Sequence, residues 1–419
     1  MSDVSDNTNT QQRSSINTQP ESFFGLGIAP GLIDIIDRLN FKTPTPIQFK
    51  GIPIAIAGQD LIGIAQTGTG KTLAFGIPMI QRLAQNRGRG VVLVPTRELA
   101  IQVNEALMQF TPAFKMKTAV IIGGEAMSNQ IHQLNRNPQI IIATPGRLND
   151  LINQRLVNLS DTSILVLDEA DRMLDMGFLP QIERIMKHIP KKRQTMLFSA
   201  TMPDMIVRIA AQHMSLPVQT SIAPSGTTAE LVSQEIFVVS KFTKERTLLS
   251  ILDKYPGSVL MFVRTRIGAT KVTRTLRNAG YSASEIHSDR TLAQRKDALR
   301  GFKTGEYRIL VATDIAARGI DVTGIELVIN HDLPDDAENY VHRIGRTGRA
   351  GMKGHAITLA TPDQRGEINN IEKIIRSTIP LANYPDIPTE KFFPAAKSTV
   401  RSFFPRGGRG GGGRSRFRR

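Results

Sequence analysis

Short, uninterrupted runs of isoleucine, valine and leucine recur along this chain, with spacers of helical length between them. Such runs are typical of strands that are covered on both faces, as in parallel sheets flanked by helices. In the first half of the chain they lie at residues 60–65, 91–95, 118–122, 139–143, 164–168 and 195–199. The amphipathic stretches 179–189 and 203–213 are predicted to be crossover helices.

The same alternation restarts after a stretch of small, polar and helix-breaking residues, which indicates a second α/β domain. Its predicted strands lie at residues 235–239, 259–263, 308–313, 326–330 and 356–360. We therefore predict an α/β fold of two domains, each a mostly parallel sheet flanked by helices, joined by a short linker. The predicted segments are a disordered N-terminus (1–21), domain 1 (22–222), the linker (223–231), domain 2 (232–380) and a basic tail (381–419).

The formal net charge of +16 favours an anionic polymer as partner, since each neutralised phosphate releases counterions. The C-terminal segment 401–419 contains seven arginines, six glycines and no acidic residue, together with Phe403, Phe404 and Phe417. Such a segment can contact phosphates and stack on bases, although an inert tail is the alternative. No apolar run approaches the roughly 18 residues of a membrane span. We expect a cytoplasmic protein with no membrane partner.

A glycine-rich loop follows the first apolar run and precedes a stretch that is compatible with a helix. In this context backbone N–H groups can turn onto phosphate oxygens, Lys71 can reach the β and γ phosphates, and the Thr72 hydroxyl can bind Mg²⁺. A chance Gly-Lys-Thr string is the alternative. The loop consists of Ala65, Gln66, Thr67, Gly68, Thr69, Gly70, Lys71 and Thr72.

An acidic cluster, Asp168, Glu169 and Asp171, ends the predicted strand 164–168. Its side chains would project at the carboxyl edge of a parallel sheet, where ligands bind in such folds. Asp168 is suited to hold Mg²⁺, and Glu169 to orient and deprotonate the attacking water. An acidic surface turn is the alternative interpretation.

A late segment, 342–349, carries three arginines. If the segment begins a helix, Arg346 and Arg349 lie one turn apart. Guanidinium groups can neutralise the charge that develops on a transferring γ-phosphoryl group. A general basic patch for RNA is the alternative. Arginines so far from the phosphate loop in sequence indicate a catalytic site that is complete only when two domains close.

Together, these segments resemble the DEAD-box RNA helicases of helicase superfamily 2 over roughly residues 22–381. The motifs that carry the resemblance occur in the family's order, at residues 41–48, 65–72, 95–99, 123–124, 144–147, 168–171, 199–201, 262–265, 313–321 and 342–349. The resemblance implies two RecA-like domains and an RNA-dependent ATPase that converts ATP and water to ADP and phosphate, with ATP and Mg²⁺ as cofactors. The compact chain is most similar to the bacterial RhlE-like branch.

The resemblance also implies roles for individual residues. Gln48 and Phe41 would contact adenine with support from Phe23, Asp321 would contact the ribose, and Arg346 and Arg349 would reach the γ-phosphate. Four residues would couple nucleotide state to domain closure: Asp171, Ser199, Thr201 and His342. Ten would line the RNA path, with contacts to sugar and phosphate that carry little sequence information: Thr96, Arg97, Gly124, Thr144, Gly146, Arg147, Thr265, Arg295, Thr313 and Gly319.

The sequence departs from the family pattern at two positions. Where the family commonly has glutamine five residues after the motif histidine His287, this chain has Leu292. We expect the polar contact made by that glutamine to be lost or to pass to Gln294. The second departure is Asn40, at the place where a glycine usually precedes the aromatic residue.

Three functions are compatible with these motifs. The first is an ATP-dependent RNA helicase that separates a few base pairs locally and remodels ribonucleoprotein, for example in ribosome assembly or RNA-decay complexes. The second is an ATP-gated RNA clamp or assembly factor, for which unwinding is incidental. The third is a DNA translocase or a phosphoryl-transfer enzyme. The adenine motif at Gln48 and the Asp-Glu-Ala-Asp string favour the first.

Overall fold

A computed structural model describes residues 22–66, 68–222, 232–317, 322, 324–348, 354–382, 384–387 and 389–393. The predicted disordered N-terminus, the linker and residues 394–419 of the predicted basic tail lie outside these ranges. Four residues of the predicted sites also lie outside them: Thr67, Gly319, Asp321 and Arg349.

Domain 1 is built on a seven-stranded sheet in which every described pair of strands is parallel. The strand order is β3-β4-β2-β5-β6-β1-β7. The strands are β1 (Leu61–Ile64), β2 (Arg89–Leu93), β3 (Thr118–Ile121), β4 (Ile140–Ala143), β5 (Thr162–Leu167), β6 (Gln194–Ser199) and β7 (Val218–Ser221). Each of the six predicted apolar runs contains one of β1 to β6, or all but its first one or two residues, while β7 was not predicted.

Helices cover both faces of this sheet, which explains why its strands are apolar without alternation. Val92 packs in a cluster on one face, and its neighbours Val91 and Leu93 pack in a second cluster on the other. The helices are α1 (Pro30–Arg38), α2 (Pro46–Ile56), α3 (Lys71–Gln85), α4 (Arg97–Met108), α5 (Met127–Asn135), α6 (Pro145–Asn153), α7 (Ala170–Asp175), α8 (Leu179–Lys187) and α9 (Asp204–His213).

Domain 2 repeats this architecture with a six-stranded parallel sheet in the order β10-β11-β9-β12-β13-β8. Its strands are β8 (Val232–Val238), β9 (Val259–Phe262), β10 (Ala283–Ile286), β11 (Ile309–Ala312), β12 (Leu327–Asn330) and β13 (Gly354–Ala360). Its helices are α10 (Lys244–Lys254), α11 (Arg266–Asn278), α12 (Leu292–Thr304), α13 (Asp314–Ala317), α14 (Glu338–Ile344) and α15 (Arg365–Ile375).

Domain 2 extends past residue 380, where we placed the start of the basic tail. Leu381 forms a parallel bridge with Ile236, and the Glu390 N–H donates to the Val238 carbonyl at 2.7 Å, so the chain runs along the edge strand β8. The buried side chain of Ile387 joins the core of the domain. Among the residues described, none of the helices combines the length and the apolar character that crossing a bilayer requires.

Candidate nucleotide and RNA sites

The predicted site residues of domain 1 lie at the carboxyl end of its sheet, in two groups. The phosphate loop follows β1, the acidic cluster follows β5, and Ser199 ends β6. These three strands are neighbours in the sheet. The predicted RNA residues Thr96, Gly124 and Thr144 follow β2, β3 and β4, which are neighbours on the other side of β5. The strand order therefore places two separate sites side by side at the carboxyl end of one sheet. Ligands are expected to bind at this end of parallel strands.

The phosphate loop is closed onto the strand that precedes it. The buried Lys71 ammonium donates to the Ala65 carbonyl at 3.1 Å and lies 4.0 Å from Asp168 Oδ1. Gly70 has φ +84°, a conformation that L side chains rarely adopt, and a Cβ at this position would collide with Nε2 of Gln48. The loop therefore needs a glycine at residue 70. Thr72 lies in the first turn of α3, directly after the lysine.

Gln48 connects the predicted adenine motif to this loop. Its Oε1 accepts from the Thr45 backbone N–H at 2.9 Å, which caps the start of α2, and its Nε2 donates to the Gly70 carbonyl at 3.0 Å. The two aromatic residues of the motif differ in exposure. Phe41 is 40% exposed, as a residue that stacks on a base must be, whereas Phe23 is buried in the apolar core.

The acidic cluster places two carboxylates at the end of β5. Asp168 is buried, and this burial raises the pKa of its carboxyl group to about 6, against the opposing effect of Lys71. Glu169 is also buried and has a left-handed backbone conformation, with φ +53°. One feature of this site was not anticipated: Arg172 lies one turn along α7, and its Nε is 3.7 Å from Glu169 Oε2.

The residues at this site fit a magnesium ion. Mg²⁺ prefers carboxylate and hydroxyl oxygens and is usually bound by one or two carboxylates together with substrate phosphates. Asp168 supplies a buried carboxylate beside the phosphate loop, and Thr72 supplies a hydroxyl group in the first turn of α3. A divalent cation would also offset the cost of keeping the buried Asp168 carboxylate ionised.

The third acid of the cluster, Asp171, holds the loop that follows β6. Its Oδ2 accepts from the backbone N–H of Ala200 at 3.0 Å and of Thr201 at 2.9 Å, and from the Thr201 hydroxyl at 3.0 Å. The Asp171 N–H donates to the Ser199 hydroxyl at 3.3 Å. The structure thus brings together three of the four residues predicted to couple the nucleotide site to domain closure.

The fourth coupling residue, His342, approaches the cluster from domain 2. Burial lowers the pKa of its imidazole to about 4, reinforced by the nearby positive charge of Arg172 and opposed by Asp171. Arg172 and His342 line one small cavity between the domains, and Arg346 lines it with them. Arg346 is buried and was predicted to reach the γ-phosphate from domain 2. It therefore lies on the nucleotide side of domain 1.

Arg343, next to these residues in sequence, has a structural place inside domain 2. Its guanidinium group forms a bidentate pair with Asp314, with both N–O distances at 2.6 Å. It also donates to the Asp332 carbonyl at 2.6 Å and lies over the ring of Phe262. These contacts tie α14 to the end of β9 and to the segments that follow β11 and β12. Because α14 ends at Ile344, Arg346 lies just past this helix and not at the start of one. The sequence marked Arg343 only as one basic residue among three.

The predicted RNA residues of domain 1 form the turns at the starts of two helices. Thr96 caps α4 by accepting from the Leu99 N–H at 3.2 Å, and Thr144 is the N-cap residue of α6. Gly124 has φ +79°, and a Cβ there would collide with the Arg97 guanidinium. Arg147 donates to the Glu125 carbonyl at 3.2 Å. Gly146 lies in the first turn of α6, and a Cβ added there would have no other atom within 4 Å.

In domain 2, two predicted RNA residues also lie at carboxyl ends of strands. Thr265 follows β9 and caps α11 by accepting from the Gly268 N–H at 3.0 Å. Thr313 follows β11, and its N–H donates to the Ile286 carbonyl at 3.3 Å. The third described residue, Arg295, is buried, and its Nη2 donates to Glu98 Oε2 of domain 1 at 2.8 Å. In this structure Arg295 is therefore part of an ion pair between the domains.

A phosphate loop and an acidic cluster on one parallel-sheet domain, approached by an arginine of a second such domain, define the class of helicases built from two RecA-like domains. Residues 45–209 match the DEAD/DEAH box helicase family, and residues 243–351 match the helicase conserved C-terminal domain. The chain belongs to the DEAD-box family of ATP-dependent RNA helicases, which confirms the family expected from the motifs.

Two bacterial relatives agree with this assignment. The ATP-dependent RNA helicase CshA of Listeria monocytogenes is 46% identical over 354 residues, which are 84% of this chain and 68% of that protein. The DEAD-box ATP-dependent RNA helicase CshA of Bacillus subtilis is 43% identical over 355 residues, 84% of this chain and 72% of that protein.

Solved structures confirm the fold class. Saccharomyces cerevisiae Dbp5 bound to RNA and ADP BeF3 superposes with a TM-score of 0.79 at 31% identity, covering 87% of this chain and 96% of that one. The DEAD-box helicase Mss116 bound to ssRNA and UDP-BeF superposes with a TM-score of 0.78 at 27% identity, covering 87% of this chain and 79% of that one.

Proposed function

We propose that this chain is an ATP-dependent RNA helicase whose RNA-stimulated ATP hydrolysis drives local duplex unwinding and ribonucleoprotein remodelling. The observation that carries this proposal is the cavity between the domains, where Arg346 and His342 of domain 2 meet Arg172 of domain 1. Because Arg172 contacts Glu169, closure of the domains brings the second half of the hydrolytic machinery to the acidic cluster.

In this proposal ATP binds to the phosphate loop of domain 1, with Gln48 and Phe41 at the adenine and Lys71 at the β and γ phosphates. Asp168 and Thr72 would hold Mg²⁺, which would supply positive charge to neutralise the phosphates. Glu169 orients the attacking water and accepts its proton. Arg346 and Arg349 then stabilise the negative charge that develops on the γ-phosphoryl group, and Asp321 contacts the ribose.

RNA is the proposed partner because the predicted RNA residues form turns beside the nucleotide site and because two superposed proteins were solved with RNA. The two domains are arranged as in RNA-bound Dbp5, as the TM-score of 0.79 over 87% of this chain indicates. A DEAD box protein from Methanococcus jannaschii superposes with a TM-score of only 0.51, although its identity of 36% exceeds that of RNA-bound Dbp5. Ranked by sequence identity alone, the Methanococcus jannaschii protein would stand above Dbp5.

The finer assignments are also proposals. We propose a cytoplasmic protein of the RhlE-like branch that acts in ribosome assembly or RNA-decay complexes, because residues 401–419 are basic. Residues 401–419 would bind RNA through arginine and phenylalanine side chains. Deleting them should weaken RNA binding and flatten its salt dependence, whose slope is roughly −0.7 per phosphate neutralised on single strands.

The deciding experiment compares ATP hydrolysis without nucleic acid, with an RNA duplex and with the matched DNA duplex. We expect hydrolysis to rise steeply with RNA alone, and equal rates in all three would reject the proposal. Glu169→Gln should still bind ATP and RNA but lose about 10²-fold or more in turnover, since a general base contributes that much. Glu183→Gln, on the exposed face of α8, is the matched control and should behave like the parent protein.

A further inference from the structure

Leu292 is the first residue of α12 in domain 2, yet its side chain packs into domain 1. It is buried, with 7% of its surface exposed, and it belongs to the apolar cluster on one face of the domain 1 sheet. Every other member of that cluster among the described residues lies between Phe23 and Ile222, within domain 1. Neither apolar cluster of domain 2 includes Leu292.

The turn that presents this leucine is well fixed. Thr291 and Gln294 form a capping box: the Thr291 hydroxyl accepts from the Gln294 N–H at 3.2 Å, and Gln294 Oε1 accepts from the Thr291 N–H at 3.0 Å. Because the Gln294 side chain is used in this cap, the structure gives no support to the expectation that it replaces the glutamine common at position 292. Position 292 is apolar in this chain, whereas the family commonly has a polar residue there.

Two ion pairs between the domains lie on the same helix. Arg295 pairs with Glu98 at 2.8 Å, with both side chains buried, and Lys296 lies 3.6 Å from Glu125. Buried ion pairs depend on good geometry and add little net stability, because both charges lose their hydration. Burial of a leucine, by contrast, is favourable without demanding a particular geometry. The apolar contact therefore supplies attraction, and the ion pairs set the register in which the domains meet.

We propose that Leu292 is a positioning residue for domain closure, whose burial against domain 1 stabilises the closed arrangement independently of the γ-phosphate. This inference rests on the proposed function, in which closure completes the ATPase site. If part of the attraction between the domains is built into the protein, less of it has to come from RNA. A larger closed fraction lowers the RNA concentration needed for half-maximal stimulation, since apparent affinity scales with the population of the competent state.

Two substitutions test this role. Leu292→Ala removes most of the buried side chain, and Leu292→Gln restores the residue type common in the family. For Leu292→Ala we expect the closed-to-open ratio to fall by about tenfold and the RNA concentration for half-maximal stimulation to rise by a similar factor. Leu292→Gln should shift both quantities in the same direction. Turnover at saturating RNA should change little, because Leu292 does not touch the nucleotide site.

Domain closure can be measured directly because the chain contains no cysteine. Cysteines introduced at Lys187 and Arg274, which are exposed residues of domain 1 and domain 2, would carry a fluorescence energy-transfer pair. The matched control is Leu249→Ala, which removes the same atoms from a half-buried leucine that packs against the core of its own domain. It should lower thermal stability without changing closure. Leu292→Met, which preserves volume, should close like the parent.

The outcomes separate this inference from the proposed function. If the parent protein shows no RNA-stimulated hydrolysis, the proposed function fails, and the energy-transfer measurement still reports on Leu292. If the parent is stimulated by RNA but both Leu292 variants close to the same extent and at the same RNA concentration, the inference is overturned. A loss confined to turnover at saturating RNA would overturn it as well, since that pattern belongs to a catalytic group.

Discussion

Asp171 and Thr201 are joined by two hydrogen bonds to one carboxylate oxygen, from the Thr201 N–H at 2.9 Å and from its hydroxyl at 3.0 Å. The same oxygen accepts from the Ala200 N–H, and the other carboxylate oxygen accepts from the Arg172 N–H. A single buried side chain thereby fixes the loop after β6 against the acidic cluster. Any movement of one is transmitted to the other through a set of charge-assisted bonds.

Asp171→Asn tests this connection. An amide nitrogen in place of one carboxylate oxygen would face N–H donors, so at least one buried group would lose its partner. We expect the free energy of unfolding to fall by about 2 kcal/mol and RNA-stimulated hydrolysis to fall with it. Urea unfolding and ATPase assays provide the measurements. Asp204→Asn, at the exposed start of α9, should leave both nearly unchanged.

Gly70→Ala should disable the phosphate loop. Residue 70 has φ +84°, and a methyl group would strike the Gln48 amide that holds the loop to α2. The backbone strain alone costs about 1–2 kcal/mol, and the collision adds to it. We expect at least about a tenfold weaker affinity for ATP, measured by calorimetry. Gly366→Ala, in the first turn of α15 with no atom within 4 Å of the new methyl, should bind ATP normally.

Substitutions of the neighbouring arginines Arg346 and Arg343 should have different effects, the first on turnover and the second on stability. Arg346→Ala should reduce turnover by about 10³-fold, since its predicted partner is the γ-phosphate. Arg343→Ala leaves Asp314 without its bidentate partner and should destabilise domain 2 by roughly 3–5 kcal/mol. Differential scanning calorimetry and single-turnover hydrolysis separate the two effects. A stability loss in the Arg346 variant without a turnover defect would contradict its assigned role.

The closed arrangement should weaken in acid. The pKa of His342 is lowered from its ordinary 6.5 to about 4, chiefly by burial and secondly by Arg172. With the domains apart, His342 loses these contacts, so the open form binds more protons between about pH 4 and 6.5. The contribution of His342 to closure is therefore fully present above about pH 6.5 and declines as pH falls toward 4.

His342→Gln provides the test of this pH dependence. The measurement is the closed fraction, followed from pH 7.5 to 5 by energy transfer between the domains. The parent protein should open progressively as the pH falls, and the variant should show a flatter profile. Other groups near His342, namely Asp171, Glu169 and Arg346, remain in both proteins. Identical pH profiles for the two proteins would show that His342 is not the group responsible for the pH dependence.

Apolar runs predicted most of the sheet positions, because strands buried on both faces leave a continuous Ile, Val and Leu signal. The two strands that were missed lack this signal. β10 contains Ser284 and Glu285, and Glu285 is a partner of both His287 and Arg290. β7 contains Gln219 and Thr220 and lies at the sheet edge. Both are edge strands, where one side is uncovered and polar residues are tolerated.

Contacts within one motif could be anticipated from the sequence, but contacts between distant segments could not. The acidic cluster was located from its place after a buried strand. The pairing of Glu98 with Arg295 spans 197 positions, and neither residue alone indicates the other. Arg172 directly follows the acidic cluster, and its i,i+3 spacing from Glu169 was a signal that could have been used.

Every described residue of the predicted nucleotide and RNA sites in domain 1, apart from those of the adenine motif, lies at or just past the carboxyl ends of the strands. At the opposite end of the sheet, Asp60 accepts from the backbone N–H groups of Thr195 and Ser215, at 2.7 Å each, and so anchors β6 and the turn before β7 beside β1. That end of the sheet lies opposite both predicted sites. A reporter or an affinity module attached to the turns at this end would leave the approach of nucleotide and polynucleotide unobstructed. Sequence changes in those turns would not affect catalysis.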